Sequence, residues 1–142
     1  MRILITIAAI IFLGSGAVFG FTDNGDSTIT DSRTSLVWQK QDDATVRTWE
    51  DAITYCEGLT LGGQSDWRLP NIKELKTIVD NTKAIPAINS TYFPNTQSSL
   101  YWSSSTYSVN TGYAWRVNFR DGDVYYNSKT GTYYVRCVRG GQ

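Results

Sequence analysis

The chain has 142 residues, with 13 basic and 13 acidic side chains, two cysteines and no histidine. This balanced charge gives no electrostatic reason to expect nucleic acid as a partner. The lack of histidine excludes the commonest catalytic base and every triad that contains one, and the length suits a single domain with one core.

The first 20 residues have the pattern of a secretion signal. Arg2 gives a positive start, an almost unbroken apolar run covers 3–13, and Val18-Phe19-Gly20 offers small or tolerated residues at the cleavage positions. We therefore predict cleavage after Gly20 and one mature domain over 21–142. The protein is expected to be secreted or on the bacterial cell surface, with no membrane anchor after cleavage. An uncleaved anchor is the alternative.

The mature chain is expected to begin with an extended arm over 21–34 that contains one short strand. Asp23, Asp26 and Asp31 in this arm could hold calcium through carboxylate and backbone oxygens. Their spacing is not that of an EF-hand loop, so an ordinary turn rich in Asp and Asn is the simpler interpretation. A firmer strand is predicted at 36–39.

Two amphipathic helices are predicted next. The first, over 48–59, is capped by Thr48 and turns Cys56 toward the core. The second begins with a capping box from Asn71 to Glu74. The acidic residues of both helices, Glu74 included, are expected on solvated faces, which leaves no carboxylate pair for glycoside hydrolysis. The buried stripe of the second helix is expected to comprise Ile72, Leu75, Ile78 and Val79.

The remainder is predicted as a loop followed by strands. Residues 81–100 contain only isolated apolar residues, which indicates a long ordered surface loop. An antiparallel meander follows, with a hairpin turn at Asp121-Gly122 and a last strand over 132–138. The loop is expected to be anchored by Ile85, Ile88, Tyr92 and Phe93.

Cys56 and Cys137 are the only cysteines in a chain with an export signal, which favours a disulfide between them. Closing a loop of roughly 80 residues would stabilise the domain by about 4 kcal/mol in the chain-entropy model. Two free buried thiols are the alternative. If the cysteines are paired, no thiolate nucleophile or thiolate metal ligand remains.

Five motifs carry a family resemblance when they are taken in chain order. They are Thr48-Trp49-Glu50-Asp51-Ala52, Asp66-Trp67-Arg68-Leu69-Pro70, Tyr101-Trp102-Ser103-Ser104-Ser105, Ala114-Trp115-Arg116-Val117-Asn118-Phe119 and Tyr134-Val135-Arg136-Cys137-Val138-Arg139. Together they resemble the Lcl C-terminal domain family over about 23–140. The resemblance implies an α+β, C-type-lectin-like fold, in which two helices flank a twisted antiparallel sheet with a long irregular loop region. It also implies a surface or secreted protein, with adhesion and glycan binding known in the namesake.

The chain departs from these relatives at several positions. True C-type lectins bind sugar through calcium held by a Glu-Pro-Asn or Gln-Pro-Asp loop, whereas the prolines here lie in Ile85-Pro86-Ala87 and Phe93-Pro94-Asn95. That mechanism is therefore not supported, and no cofactor is expected apart from the calcium alternative above. Ser27 and Ser35 stand where the family usually has glycine. The serine at 27 casts doubt on any strained, ion-binding form of its turn.

The aromatic residues divide into core and surface candidates. Trp49, Trp67 and Trp115 are expected in the core. Exposed rings suited to stacking on sugars or docking on proteins are expected at Tyr92, Tyr107, Tyr125, Tyr126 and Tyr134, although the same rings could simply cover the sheet.

Arg116, Arg120 and Lys129 are expected to project from the polar side of the last hairpins, where they could bind sulfate or carboxylate groups, with a solvated, salt-bridged sheet face as the alternative. These features predict a non-enzymatic adhesion module that recognises a glycan or a protein surface. The alternative is a subunit of an extracellular homo-oligomeric or filamentous assembly, in which the 21–34 arm adds to a neighbour's sheet edge.

Overall fold

The computed structural model describes residues 20–141, so the expected signal segment lies outside the described residues except for Gly20. The architecture is α+β, with two helices and two antiparallel sheets. The first sheet has the order β1 (Phe21–Asp23), β2 (Thr28–Asp31), β3 (Leu36–Gln39), β7 (Val138–Arg139). The second has the order β4 (Leu100–Thr106), β5 (Tyr113–Asn118), β6 (Asp123–Ser128). Among the described residues, no helix is long and apolar enough to cross a membrane.

The segment expected as an arm is part of the first sheet. Residues 21–34 form β1 and β2, and β2 pairs with β3 so that Ile29 lies opposite Trp38. The Phe21 ring packs edge-on against Phe93 at 5.2 Å between centroids, which ties β1 to the core. Ser27 and Ser35 have φ values of 71° and 60°, so both turns keep the left-handed backbone that glycine adopts most easily.

Both helices begin where their caps predict. Helix α1 (Trp49–Glu57) starts after Thr48, whose hydroxyl accepts the N–H of Asp51 at 3.3 Å. Helix α2 (Ile72–Lys76) starts with the complete capping box, in which Asn71 and Glu74 each accept the other's backbone N–H. Helix α2 ends at Lys76, but the next turns still bring Ile78 into the core beside Leu75.

The expectation that Glu74 lies on a solvated face is wrong. Both of its carboxylate oxygens accept from the Arg68 guanidinium at 2.7 Å, and its side chain is mostly shielded. Burial raises the pKa of Glu74, but the Arg68 guanidinium and the Asn71 N–H outweigh burial and hold it below its usual value. Through its contact with Arg68, Glu74 therefore links the motif at Asp66 to Pro70 to helix α2.

The loop between α2 and β4 is anchored by the side chains of three of the four residues expected. Ile88 and Phe93 are fully buried, and the half-buried Tyr92 packs against the same core cluster, whereas the Ile85 side chain is 67% exposed and does not anchor the loop. The N–H of Ala87 donates to the carbonyl of Phe119 at 2.6 Å, so backbone contacts attach this part of the loop to the end of β5.

The final strand crosses between the two sheets, so the prediction of a simple meander is wrong at its end. Strands β5 and β6 do form the predicted hairpin, but the chain then leaves β6. Tyr134 exchanges backbone hydrogen bonds with Leu100 and Trp102 along the edge of β4, and β7 pairs with β3. The final segment crosses because the edges of β4 and β3 both carry backbone N–H and C=O groups without another strand partner, and this segment forms hydrogen bonds with both.

The disulfide between Cys56 and Cys137 is confirmed, with a Cα–Cα distance of 5.5 Å. Both cysteines are fully buried in a cluster that also contains Trp67, Trp102 and Val135. A second cluster packs β2, β3 and α2 against Tyr101, Phe119 and the loop. The disulfide thus ties α1 to the crossing segment at the centre of one half of the core.

Candidate functional site

The register of the hairpin formed by β5 and β6 determines which aromatic residues of the candidate site lie opposite one another. This register places Trp115 opposite Tyr126 and Arg116 opposite Tyr125. Tyr107 follows β4 directly, and its N–H donates to the carbonyl of Tyr113 at 2.8 Å. The tight loop between β4 and β5 therefore holds Tyr107 next to the hairpin.

Three tyrosines form a stack that we call the tyrosine row (Tyr107, Tyr126 and Tyr125). The rings of Tyr107 and Tyr126 are 3.9 Å apart between centroids, with an interplanar angle of 8°. The rings of Tyr126 and Tyr125 are 4.4 Å apart at 17°. Parallel stacking on both faces of Tyr126 fixes all three rings in one orientation.

Trp115 supports the tyrosine row from the side. Its ring meets Tyr107 at 5.4 Å and Tyr126 at 5.6 Å, both edge-on. The expected core position of Trp115 is therefore wrong, because it is half-buried beneath the row, whereas Trp102 is fully buried. Trp67 is buried and Trp49 is half-buried against the disulfide cluster, as expected for the core.

The outer end of the tyrosine row is open to solvent. Tyr125 is 51% exposed, and its hydroxyl donates to that of Tyr126 at 3.5 Å. This hydrogen bond raises the pKa of Tyr125 above its usual value. Val109, in the loop that follows Tyr107, is 80% exposed.

Arg116 lies beneath the row and its charge is already matched. Its Nε donates to the Asn127 side chain at 2.8 Å, and its Nη1 lies 3.0 Å from an Asp123 oxygen. The guanidinium also lies 5.7 Å from the Tyr125 ring centroid. Arg116 is thus salt-bridged, but at 9% exposure it is buried, so the expectations that it projects from the hairpin or lies on a solvated sheet face are wrong. It links β5 to Asp123 and Asn127 of β6 beside Tyr125.

Arg120 and Tyr92 lie outside the tyrosine row. Arg120 is exposed at the turn between β5 and β6, and its guanidinium has no partner among residues 20–141. Tyr92 packs against Phe21 of β1 at 5.5 Å between ring centroids. Of the six ligand-binding residues predicted, the structure therefore brings four together, and these are Tyr107, Arg116, Tyr125 and Tyr126.

The three aspartates predicted as calcium ligands each have their own partners. Asp31 is fully buried and forms a bidentate contact with Arg33 at 2.9 Å. Asp23 pairs with Lys40 at 2.7 Å, and Asp26 accepts from the N–H of Thr28. Within the described part of the chain, no group of three or more acidic or cysteine side chains is arranged to hold a metal ion.

The sequence did not reveal a second polar cluster, which we call the buried network (Asp42, Tyr101 and Arg136). Arg136 and Asp42 are both essentially inaccessible and form an ion pair at 3.2 Å, and the Tyr101 hydroxyl donates to the same Asp42 oxygen. Arg136 also donates to the carbonyls of Gln39 and Lys40 at 2.6 Å each. Burial raises the pKa of Tyr101 and lowers that of Arg136, although the Asp42 carboxylate favours the charged guanidinium.

A local signal for this network was present but ambiguous. Arg136 lies between Val135 and Cys137, both buried, so strand alternation places it on the opposite side. In a strand at the edge of a sheet with only one face buried, the side opposite Val135 and Cys137 would face solvent. Here Arg136 is covered by Gln39 and Lys40, at the end of strand β3, and by Thr96 of the long loop. The Thr96 hydroxyl accepts a hydrogen bond from the Arg136 guanidinium at 2.9 Å.

Taken together, the fold and the site define a disulfide-bonded α+β domain with a neutral aromatic surface. The family model for the Lcl C-terminal domain matches residues 27–139. The chain belongs to this family, in agreement with the resemblance noted from its motifs. No curated protein matches the chain.

Proposed function

We propose that this protein is a secreted, non-enzymatic binding module of C-type-lectin-like fold that attaches to a glycan or a protein surface through the tyrosine row. The observation that carries the proposal is the stack of three parallel rings with Tyr125 half open to solvent. Side chains fixed in this way lose little conformational entropy when a ligand binds.

The chemistry of the row suits a neutral or weakly charged ligand. The flat ring of Tyr125 offers an apolar face, and the phenol hydroxyls offer polar edges, a combination suited to sugar rings and to protein surfaces. Arg116 contributes little charge to this surface because Asp123 already pairs with it. The unpaired Arg120 guanidinium is the better candidate to contact an anionic group of the ligand.

Two further features support the rest of the proposal. A buried disulfide is typical of exported proteins, which supports the predicted secretion signal over residues 1–20. The chain belongs to the Lcl C-terminal domain family. This membership supports the proposal because the resemblance to that family implies the C-type-lectin-like fold, and adhesion is known in the family's namesake.

Binding of the mature domain to a glycan array and to immobilised host-type surface proteins tests the proposal. We expect Tyr125→Ala to lower affinity for the best ligand by about tenfold or more, because a truncated aromatic contact typically costs 1–2 kcal/mol or more. Tyr125→Phe should retain most of the affinity, since the ring face remains. Arg120→Ala should weaken binding only to anionic ligands.

Ile85→Ala is the matched control, because Ile85 is an exposed apolar residue in the loop between α2 and β4, outside the tyrosine row. It should leave affinity unchanged. If Tyr125→Ala and Ile85→Ala bind every ligand equally well, the tyrosine row is not the binding surface and the proposal fails.

In the assembly alternative, the 21–34 segment would not act as a free arm. It is already paired in the first sheet, with β1 antiparallel to β2, so it does not extend away from the domain. Among the described strands, the outer edges of β1 and of β6 each end a sheet and could contact a second copy.

A further inference from the structure

Strand β6 is the last strand of the second sheet, and one of its two edges has no neighbouring strand among the described residues. The Lys129 N–H donates to the Gly112 carbonyl at 2.9 Å, while Ser128 lies opposite Tyr113. Because backbone groups alternate along an antiparallel ladder, those of Val124, Tyr126 and Ser128 point away from β5. The one described backbone partner on that edge is the Gly131 N–H, which donates to the Ser128 carbonyl at 2.9 Å.

This edge lacks the features that usually prevent strands from pairing. Natural proteins protect edges with proline, charged side chains, bulges or very short strands. Between Val124 and Ser128 the sequence is Val-Tyr-Tyr-Asn-Ser, which contains neither a charge nor a proline. The pairing with β5 is regular over all six residues of β6, so no bulge turns the edge away.

The charges at the two ends of β6 are complementary to those of a second copy. In an antiparallel pairing centred on Tyr126, Tyr126 lies opposite Tyr126 of the second copy and Val124 lies opposite Ser128. The same register places Asp123 opposite Lys129, the residue just after β6, at both ends. In the single chain the Lys129 ammonium donates to the Thr106 hydroxyl at 2.9 Å and lies 3.8 Å from the Trp49 ring centroid, so it turns from these partners to meet Asp123 of the second copy. The Asp123 side chain is 55% exposed and can accept a second contact besides Arg116.

We infer that two copies of this chain associate through their β6 edges in this antiparallel register, which joins their second sheets into one six-stranded sheet. About six backbone hydrogen bonds form across the two-fold axis. The inference goes beyond the proposed function, because it assigns a self-association surface. The dimer would also present two tyrosine rows, which raises the apparent affinity for a ligand with several copies of the same binding group.

A sedimentation equilibrium series on the mature domain, up to about 1 mM, tests the inference through the dissociation constant of the dimer. Asp123→Lys alone and Lys129→Asp alone each place like charges opposite one another. We expect each to raise the dissociation constant by about tenfold or more. The double variant D123K/K129D restores the attraction and should return the dissociation constant to within about threefold of the parent.

The double variant separates contact between copies from effects within one copy. Residues 123 and 129 are six positions apart along one strand, about 20 Å, so they do not contact each other in the same chain. Rescue by the swap therefore comes only from a second copy. A similar loss in the two single variants and in the swap would overturn the proposed register.

Val124→Pro gives an independent test that does not involve charge. It removes an N–H that faces away from β5, so the fold should persist, as proline is tolerated on edge strands. We expect Val124→Pro to abolish the dimer, while Val124→Thr, which keeps the N–H, leaves it intact. A parent protein that stays monomeric throughout the series, or a dimer unaffected by Val124→Pro, would overturn the inference. Ligand binding by the monomeric Val124→Pro domain tests the proposed function separately.

Discussion

The buried network and the surface around Tyr125 each combine an arginine, an aspartate and a tyrosine, which at the surface are Arg116, Asp123 and Tyr125. In the buried network the Arg136–Asp42 pair, at 3.2 Å, has side-chain exposures of 0% and 1%. Beneath the tyrosine row the Arg116–Asp123 pair, at 3.0 Å, has exposures of 11% and 55%. The pairs are alike in geometry and differ in access to water. Burial, more than pairing itself, therefore decides how much such a pair contributes to stability.

The physical reason is the cost of an unpaired charge. Deleting one partner of a buried pair leaves a charge without water or a counterion and typically costs about 3–5 kcal/mol. An exposed partner is rehydrated instead, and the loss is about 0–1 kcal/mol. The buried network thus joins the end of strand β3, the loop between α2 and β4 and the final segment that crosses between the sheets. Substitutions in the tyrosine row should change the stability of the fold much less.

The largest effect should come from Arg136→Met. This change leaves the Asp42 carboxylate buried without its counterion and frees the carbonyls of Gln39 and Lys40. We expect the free energy of unfolding to fall by about 3–5 kcal/mol in urea titration. Arg116→Met is the matched control and should cost about 1 kcal/mol. Equal losses for the two variants would contradict the contrast between the regions.

Removal of the disulfide should have the next largest effect. Replacing Cys56 and Cys137 together with alanine opens a link between residues 81 positions apart and should cost about 2–4 kcal/mol. The crossing segment that carries Arg136 would then depend on the buried network alone. Urea titration of the double variant, with oxidised parent as reference, measures the loss. A loss below about 1 kcal/mol would show that the network alone holds this segment.

A smaller and pH-dependent effect is expected at Glu74. Its folded pKa lies below the usual 4.5, so its contribution to stability is complete above pH 4.5 and is lost as the pH falls through the folded value. Glu74→Gln should cost about 1–2 kcal/mol at pH 7, because it removes a charged bidentate contact with Arg68. The melting temperature of the variant should also fall less than that of the parent between about pH 5 and 3.

Asp66→Asn is the exposed counterpart of that test. The Arg139 guanidinium also holds the pKa of Asp66 below its usual value, but the Asp66 side chain is 61% exposed. Its replacement should change the pH profile of the melting temperature less than Glu74→Gln does. The opposite order would mean that burial is not the deciding factor.

The smallest effect on stability should come from Tyr125→Ala. Because the ring is half exposed at the end of the row, we expect a loss of no more than about 0.5–1 kcal/mol in urea titration. Tyr101→Phe, which removes only a buried hydroxyl, should cost about 1–3 kcal/mol. A larger loss for Tyr125→Ala than for Tyr101→Phe would place the tyrosine row among the elements that hold the fold.

The features predicted correctly from sequence depend on residues that are close together in the chain. The Thr48 cap, the Asn71 to Glu74 capping box and the hairpin at Asp121-Gly122 each need only a few neighbouring residues. The disulfide is the exception, but only two cysteines were available to form it. The family was also evident, since its motifs are short and local.

The candidate site was predicted in part. Tyr107, Tyr125 and Tyr126 were named as exposed aromatics, but their stacking depends on how the loop after β4 folds back on the hairpin. The alternation of residues along β5 predicted that Trp115 is buried, because alternation indicates which side of the strand a residue occupies. It does not report whether a core or a row of tyrosines covers that side.

What the sequence determined by itself was therefore the caps, the hairpin, the cysteine pair and the family, because local hydrogen bonds and short motifs specify them. Only the tertiary structure decided that Arg136 and Asp42 are buried together and that Glu74 turns to Arg68. It also decided that the final segment crosses from one sheet to the other. These outcomes join residues far apart in the chain, and their burial depends on the packing of every element around them.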